Sequence, residues 1–312
     1  MKPLFLERIK DLMKDETEIF IEYLKKPLLR SIRANTLKIS TEELKSRLMK
    51  RWGIEQPLKN YPEAFIIKSK LSPGEVGKSI EHRLGYFYVQ EIASMMPPLA
   101  LAPEKDEIVL DLCAAPGSKT TQMASLMHNQ GTIVANDVRI DRLKALTSNL
   151  ERCGVANAVV TRMNGLVLTK KLSEKKLFFD KILLDAPCSG EGTIRDSLQT
   201  LKTWNINMIK KFGALQKKLI SASINCLKPN GTLVYSTCTF SPEENEEVID
   251  FALKNFNVKT EKINLPLKTR DGIEEWQGDK FNPEIKNCRR IYPQDNDTEG
   301  FFVARIKKQD NA

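Results

Sequence analysis

Ile182-Leu183-Leu184-Asp185-Ala186-Pro187-Cys188-Ser189-Gly190 is an apolar run that turns abruptly polar. Ile182, Leu183 and Leu184, with Phe179 ahead of Lys181, read as a strand buried on both faces. Pro187 cannot donate to a ladder and ends it. The strand delivers a carboxylate, Asp185, and a thiol, Cys188, to the end at which open α/β sheets hold ligands. Leu233-Val234-Tyr235-Ser236-Thr237-Cys238-Thr239 repeats the arrangement with a second thiol. Two cysteines, each just past a strand, in a chain with only 2 histidines, point to thiol chemistry.

Outward from this stretch, strands and helices alternate. Ile108–Leu112, Thr132–Asp137, Ala158–Val160 and Gly300–Ile306 read as further strands. A helix is expected from about Lys119. A second runs from Arg139 to Arg152, with Ile140, Leu143, Leu146 and Leu150 on one side and Gly154 at its end. Thr203 to Leu227 reads as a long helix, and Ser241-Pro242-Glu243-Glu244 as a capping box opening another. This alternation predicts a doubly wound, mostly parallel α/β sheet over residues 81–312. Residues 1–80 read as a small α+β module. It has a helix over 4–26, a strand near Arg33, a helix capped by Ser40 carrying Leu44, Leu48 and Trp52, and a strand at Ala64–Ile67. The turn formers of residues 71–79 read as a linker.

Composition narrows the partners. The net charge is +9, and residues 1–83 hold 18 Lys+Arg against 12 Asp+Glu, so +6 of it lies in about a quarter of the chain. That asymmetry points to a polyanion, although a solvated basic surface gives the same count. No apolar run reaches the roughly 18 residues of a membrane helix, and the acidic residues behind Met1-Lys2-Pro3 argue against a signal peptide. The six cysteines show neither Cys-x-x-Cys pairs nor histidines at zinc spacing. Reduced thiols, no metal and a cytoplasmic location are the expectation.

Asp111-Leu112-Cys113-Ala114-Ala115-Pro116-Gly117-Ser118-Lys119-Thr120 joins the first strand of the sheet to a helix. Its small residues let backbone approach a ligand at the helix start. The run is neither Gly-x-Gly-x-x-Gly nor a phosphate loop, which disfavours a nucleotide diphosphate. Asp137 ends the next strand, about where an acid grips ribose hydroxyls; a helix-capping Asp is the alternative.

The 111–120 run, Asp185-Ala186-Pro187-Cys188-Ser189-Gly190 and Ser236-Thr237-Cys238-Thr239 closely resemble the motifs of the Sun-type RNA cytosine-5 methyltransferases. Arg33-Ala34-Asn35-Thr36-Leu37-Lys38, Tyr88-Val89-Gln90-Glu91-Ile92-Ala93-Ser94 and Asp297-Thr298-Glu299-Gly300-Phe301-Phe302 extend the resemblance over nearly the whole chain. It implies a class I, Rossmann-like methyltransferase sheet, an N-terminal RNA-binding domain, and S-adenosylmethionine as cofactor. Cys113, Ala114, Ala115, Pro116, Gly117, Ser118 and Lys119 would then line the methionine and ribose. Asp137 would hold the ribose hydroxyls with Arg142 nearby, and Asp185 would sit between cofactor and base. Asn164 stands where many members have aspartate near the adenine, its oxygen still able to accept from the amino group. The resemblance assigns Cys238 as nucleophile and Cys188 to product release, leaving Cys113 otherwise, Cys153, Cys226 and Cys288 as structural. Because a stacked base cannot react, the target must be flipped out or unpaired. Tyr86, Phe87 and Phe240 are candidate stacking partners, with core packing as the alternative. Lys170-Lys171 and Lys175-Lys176 are candidate phosphate contacts. The length resembles the short archaeal tRNA members, so tRNA is the expected substrate, with no protein partner implied. An rRNA enzyme and a silent RNA-binding protein on the same scaffold are the rival readings.

Overall fold

The computed structural model describes residues 2–310; Met1, where the signal-peptide argument begins, and the last two positions lie outside them. Strands β1 (Ser31–Ala34), β2 (Ile54–Glu55), β3 (Ala64–Ile67) and β4 (Phe87–Val89) form an antiparallel sheet in the order β2-β3-β1-β4. The helix Thr41–Met49 covers it, with Leu44, Leu48 and Trp52 packing on Ile32, Phe65, Ile67 and Phe87. Ser40 Oγ accepts the Glu43 N–H at 3.2 Å as a cap should. The Glu43 carboxylate turns to Arg47 instead of completing a capping box. This sheet reaches past residue 80 to take in β4. The expected linker is itself packed, since its Glu75 carboxylate accepts from Trp52 Nε1 at 2.8 Å and Val76 is buried.

The single helix expected over residues 4–26 is two, Pro3–Met13 and Thr17–Lys25, separated by a tight turn with Lys14 at φ 50. Neither covers the small sheet. Phe5, Ile9, Phe20 and Leu24 pack on Trp204, Phe240 and Tyr292 of the larger domain.

The larger sheet contains parallel strands β5 (Ile108–Asp111), β6 (Thr132–Asp137), β7 (Ala158–Arg162), β8 (Phe179–Asp185) and β9 (Leu227–Thr237). Antiparallel strands extend it: β10 (Val258–Glu261), β11 (Arg270–Asp271), β14 (Arg289–Ile291) and β15 (Phe301–Lys308). Between β11 and β14, β12 (Glu275–Trp276) and β13 (Asp279–Lys280) make a separate hairpin. The order β7-β6-β5-β8-β9-β15-β14-β11 makes this a mixed, Rossmann-like sheet. The chain leaves β5 toward β6 and returns to β8 on the other side, so a crevice opens past the carboxyl ends of β5 and β8. Side chains alternate across the sheet. Ile182 and Leu184 face a core shared with Ile220, Ile224 and Val248, while Leu183 faces Met95, Met123 and Val303.

The second expected capping box does not form. Ser241 Oγ donates to Glu191, and the Glu244 carboxylate accepts the Ser189 N–H at 2.9 Å. Neighbouring loops have taken both groups, and the regular helix starts only at Glu246.

Candidate active site

The parallel register of β8 and β9 sets Asp185 opposite Ser236. Ser236 Oγ donates to Asp185 Oδ1 at 2.8 Å, and Lys119 Nζ donates to Oδ2 at 2.7 Å. Lys119 rises from the first turn of the helix Ser118–Leu126 and also reaches Ser94 Oγ at 3.1 Å. Both carboxylate oxygens are thus aimed before any ligand enters. The loops after the two strands bring Cys188 Sγ and Cys238 Sγ to 3.4 Å. Buried Glu191 fixes the Cys238 loop by accepting from Thr239 Oγ1, the Phe240 N–H, Ser241 Oγ and Trp204 Nε1 at 2.6–3.0 Å. Hydrogen bonding to Cys238 and burial push the Cys188 thiol well above its ordinary range. At 3.4 Å either sulfur can donate its S–H to the other.

Cys113, Asp137, Arg142, Asn164, Asp185, Cys188 and Cys238 line one cavity of about 320 Å³. An adjoining one of about 290 Å³ is lined by Ala114, Ala115, Pro116, Ser118 and Lys119, sharing Cys113, Arg142, Asp185 and Cys238 with the first. Gly117 lies behind that wall. It has φ +103, and Leu146 occupies the space a β-carbon would need, so glycine is required for the turn rather than for ligand contact. Asp137 Oδ1 accepts the Arg139 N–H at 3.0 Å, and its other oxygen stands 3.5 Å from Arg142. Arg142 also donates to the Ala115 carbonyl. Asn164 Oδ1 caps the helix Gly165–Glu174 by accepting the Leu166 N–H at 3.0 Å, which leaves a second lone pair on that oxygen and the amide N–H groups for the cavity.

The residues present fit S-adenosylmethionine. Asp111 Oδ1 is buried without a partner among the described residues and borders the cleft, an acceptor suited to the cofactor's ammonium. Burial pushes this carboxyl up to about 7. Asp137 offers oxygens for ribose hydroxyls, and Ala114 and Ala115 keep the wall low.

Several supports escaped sequence reasoning. Arg33 is fully buried and donates to Gln90 Oε1 at 2.7 Å, the Ser118 carbonyl at 2.8 Å and Thr121 Oγ1 at 2.9 Å. It braces the start of the helix that carries Lys119. Ser94, Glu91 and Glu299 border the cleft, all within stretches whose individual roles had no spacing signal. The stacking candidates divide. Phe87 and Phe240 belong to packed cores, while Tyr86 is half-buried under the Arg47 guanidinium. Among the described residues no group of three or more His, Cys, Asp or Glu could hold a metal ion, and no helix is long and apolar enough to cross a membrane.

Residues 98–307 match the family described as 16S rRNA methyltransferase RsmB/F, and residues 1–92 match the N-terminal domain of 16S rRNA methyltransferase RsmF. A tRNA (cytosine(49)-C(5))-methyltransferase of Pyrococcus abyssi is 47% identical over 294 residues, 94% of this chain and 93% of that protein. The ribosomal RNA small subunit methyltransferase F of Vibrio atlanticus is 43% identical over 97% of this chain, which spans 63% of that protein. Among solved structures, a methyltransferase homolog from Pyrococcus horikoshii superposes with a TM-score of 0.86 at 39% identity, over 99% of this chain and 95% of that one. NSun6 from Pyrococcus horikoshii, solved with SFG, gives 0.83 at 25% identity over 99% of each chain. With the thiol pair, the aimed carboxylate and the Rossmann-like sheet already in place, these matches settle the family: the chain belongs to the RsmB/F, Sun-type family of S-adenosylmethionine-dependent RNA cytosine-5 methyltransferases.

Proposed function

We propose that this protein methylates C5 of a cytosine in tRNA, through a covalent bond from Cys238 to C6 that Cys188 helps to break. The observation carrying this reading is the pair of thiols 3.4 Å apart beside an Asp185 already held by Lys119 and Ser236. Cytosine C5 is a weak nucleophile. Addition of the Cys238 sulfur to C6 moves the C5–C6 electron pair to C5 and makes an enamine. Asp185 accepts from the base's amino group and orients the ring. The bound cofactor supplies an electrophilic methyl group. Cys113, Ala114, Ala115, Pro116, Ser118, Lys119, Asp137, Arg142 and Asn164 hold it, with Gly117 shaping their turn. Loss of the C5 proton then re-forms the double bond and expels the Cys238 sulfur.

Cys188 suits that last step. The first cause of its raised pKa is Cys238 itself. Once Cys238 is bonded to carbon it is no longer a thiol partner, and Cys188 is the neighbouring sulfur placed to take up the C5 proton. The domains divide as residues 1–80, extended by β4, for RNA and the remainder for catalysis, in a cytoplasmic enzyme whose six cysteines are free thiols.

The 47% identity to a protein named as a tRNA methyltransferase supports tRNA. The ribosomal reading rests on the 43% match to methyltransferase F. The deciding experiment incubates the protein with S-adenosylmethionine and either total tRNA or 16S rRNA, followed by bisulfite sequencing. Protected cytosines in tRNA alone support the proposal, and protection confined to rRNA contradicts it.

A further inference from the structure

The segment that follows Thr298 is tied by backbone to the reactive loop. Gly300 N–H donates to the Gly192 carbonyl at 3.1 Å, and Gly192 N–H donates to the Cys238 carbonyl at 2.9 Å. The approach is too close for side chains, because a β-carbon on Gly300 would strike the Phe240 ring and one on Gly192 would strike the Gly300 carbonyl. Glu299, next in line, is thereby fixed on the wall of the cavity that also holds Lys119, Asp185 and Cys238. Its main chain is satisfied, with the N–H donating to Glu91 Oε1 at 3.1 Å and the carbonyl accepting from Thr298 Oγ1 at 2.9 Å. The residue is only 8% exposed, yet its carboxyl has no hydrogen-bond partner among the described residues. The group lines the cleft and is available to a partner that enters from outside.

Its protonation follows from its surroundings. Glu91 lies beside it and accepts three backbone N–H groups, from Ala93 at 2.6 Å, Ser94 at 3.3 Å and Glu299 at 3.1 Å. Two neighbouring buried carboxyls do not both ionise readily, and burial pushes Glu91 up as well, against the N–H groups it accepts. Burial first, then Glu91, Cys238 and Asp196, push Glu299 up to about 9, against the opposing pull of Lys119. Near neutral pH it is a carboxylic acid with an O–H to donate.

We propose that Glu299 is a base-recognition residue, its carboxyl O–H donating to the ring acceptor edge, N3 and O2, of the cytosine flipped into the cleft. Asp185 and Glu299 then read opposite characters of the base, one accepting from the amino group and the other donating to the ring. Addition of sulfur at C6 shifts electron density onto N3 and O2, so this bond strengthens as the adduct forms. Uracil, with an N–H at position 3 and a carbonyl at position 4, loses the N3 acceptor and sets an oxygen against the Asp185 carboxylate. The inference rests on the cytosine-5 reading above.

The test compares wild type, Glu299→Gln and Glu299→Ala for 5-methylcytosine formation between pH 7 and 10 at saturating cofactor, with cofactor affinity measured by calorimetry as a folding control. Glutamine keeps a neutral donor that cannot ionise. Wild-type kcat is expected to fall above about pH 9, while Glu299→Gln lacks that decline. At pH 7.5 Glu299→Ala is expected to lose at least tenfold in kcat with cofactor affinity within twofold, and Glu299→Gln to recover most of the loss. An alkaline decline shared by wild type and Glu299→Gln overturns the inference, even where Glu299→Ala fails to fold. So does Glu299→Ala within threefold of wild type. A wild type that forms no 5-methylcytosine overturns the underlying reading instead.

Discussion

Asp137 is buried, accepts the Arg139 N–H and faces Arg142, so its carboxylate is held in place before a ribose arrives. Asp137→Ala is expected to weaken S-adenosylmethionine binding by about tenfold or more, since charge-assisted hydrogen bonds are worth roughly 1.5–3 kcal/mol. Calorimetric titration with unchanged affinity would remove it from the site. The place of Asp137 at the end of β6 was legible because strand ends are legible, whereas its bond from the Arg139 N–H needed the folded turn. Asn164 was legible in position but not in orientation. Which face of its amide meets the cavity depends on the Leu166 N–H, a helix-start donor that only the folded backbone reveals. Glu299 and Arg33 were quoted as parts of motifs, but neither has a spacing that announces its role. One gains it from a neighbouring carboxyl and the other from two helix positions more than 80 residues away.

At the scale of elements, the alternating strands and helices were readable because hydrophobic period and turn residues agree along most of residues 108–237. The failures lie where tertiary contacts recruit local groups. The 241–244 capping box is one, and the antiparallel half of the sheet is another. There the short strands β11 and β14 pair beside a buried ion pair. Arg290 Nε donates to Glu246 Oε1 at 2.6 Å, and Arg290 Nη1 donates to the Phe240 carbonyl at 2.9 Å, two residues past Cys238. Glu246 Oε1 also accepts the Ile273 N–H at 3.1 Å. This pair joins β14, the helix Glu246–Asn255 and the thiol-bearing loop. Glu246→Ala strands a buried guanidinium and is expected to destabilise the fold by about 3–5 kcal/mol. Urea denaturation reads this as a lower midpoint at an unchanged slope. Replacing both partners together, as Glu246→Leu with Arg290→Met, is expected to recover much of the loss. A single variant within about 1 kcal/mol of wild type would contradict the account of the pair.

For the whole molecule, the basic excess of residues 1–83 was countable in the sequence, but how that part attaches was not. A chain beginning at residue 81 would lose β1 as the partner of β4, the Arg33 bonds, and the cover over Trp204 and Phe240. The two parts are therefore expected to unfold together. Buried carboxyls set the pH response. Burial raises Asp111 to about 7 and Glu244 to about 7, and burial with Glu91 raises Glu299 to about 9. An acid whose folded pKa is raised stabilises the fold fully below its unfolded value near 4, and that contribution is lost as pH rises through the folded value. Glu16, held down by its hydrogen bond from Arg270, works in the opposite direction and loses its contribution only below about pH 4.5. The melting temperature of the ligand-free protein is thus expected to be highest near pH 5 and to fall toward pH 9; a steady rise over that interval would refute this assignment. The central claim, that two thiols 3.4 Å apart divide bond-making from bond-breaking, is tested most directly by one denaturing gel. Wild type, Cys238→Ala, Cys188→Ala and the double variant are each incubated with tRNA and S-adenosylmethionine. The account predicts a slow-migrating protein–RNA band for Cys188→Ala alone, absent when Cys238 is also replaced. Trapping by Cys238→Ala would reverse the two roles, and equal partial losses of activity without any band would reduce both cysteines to packing.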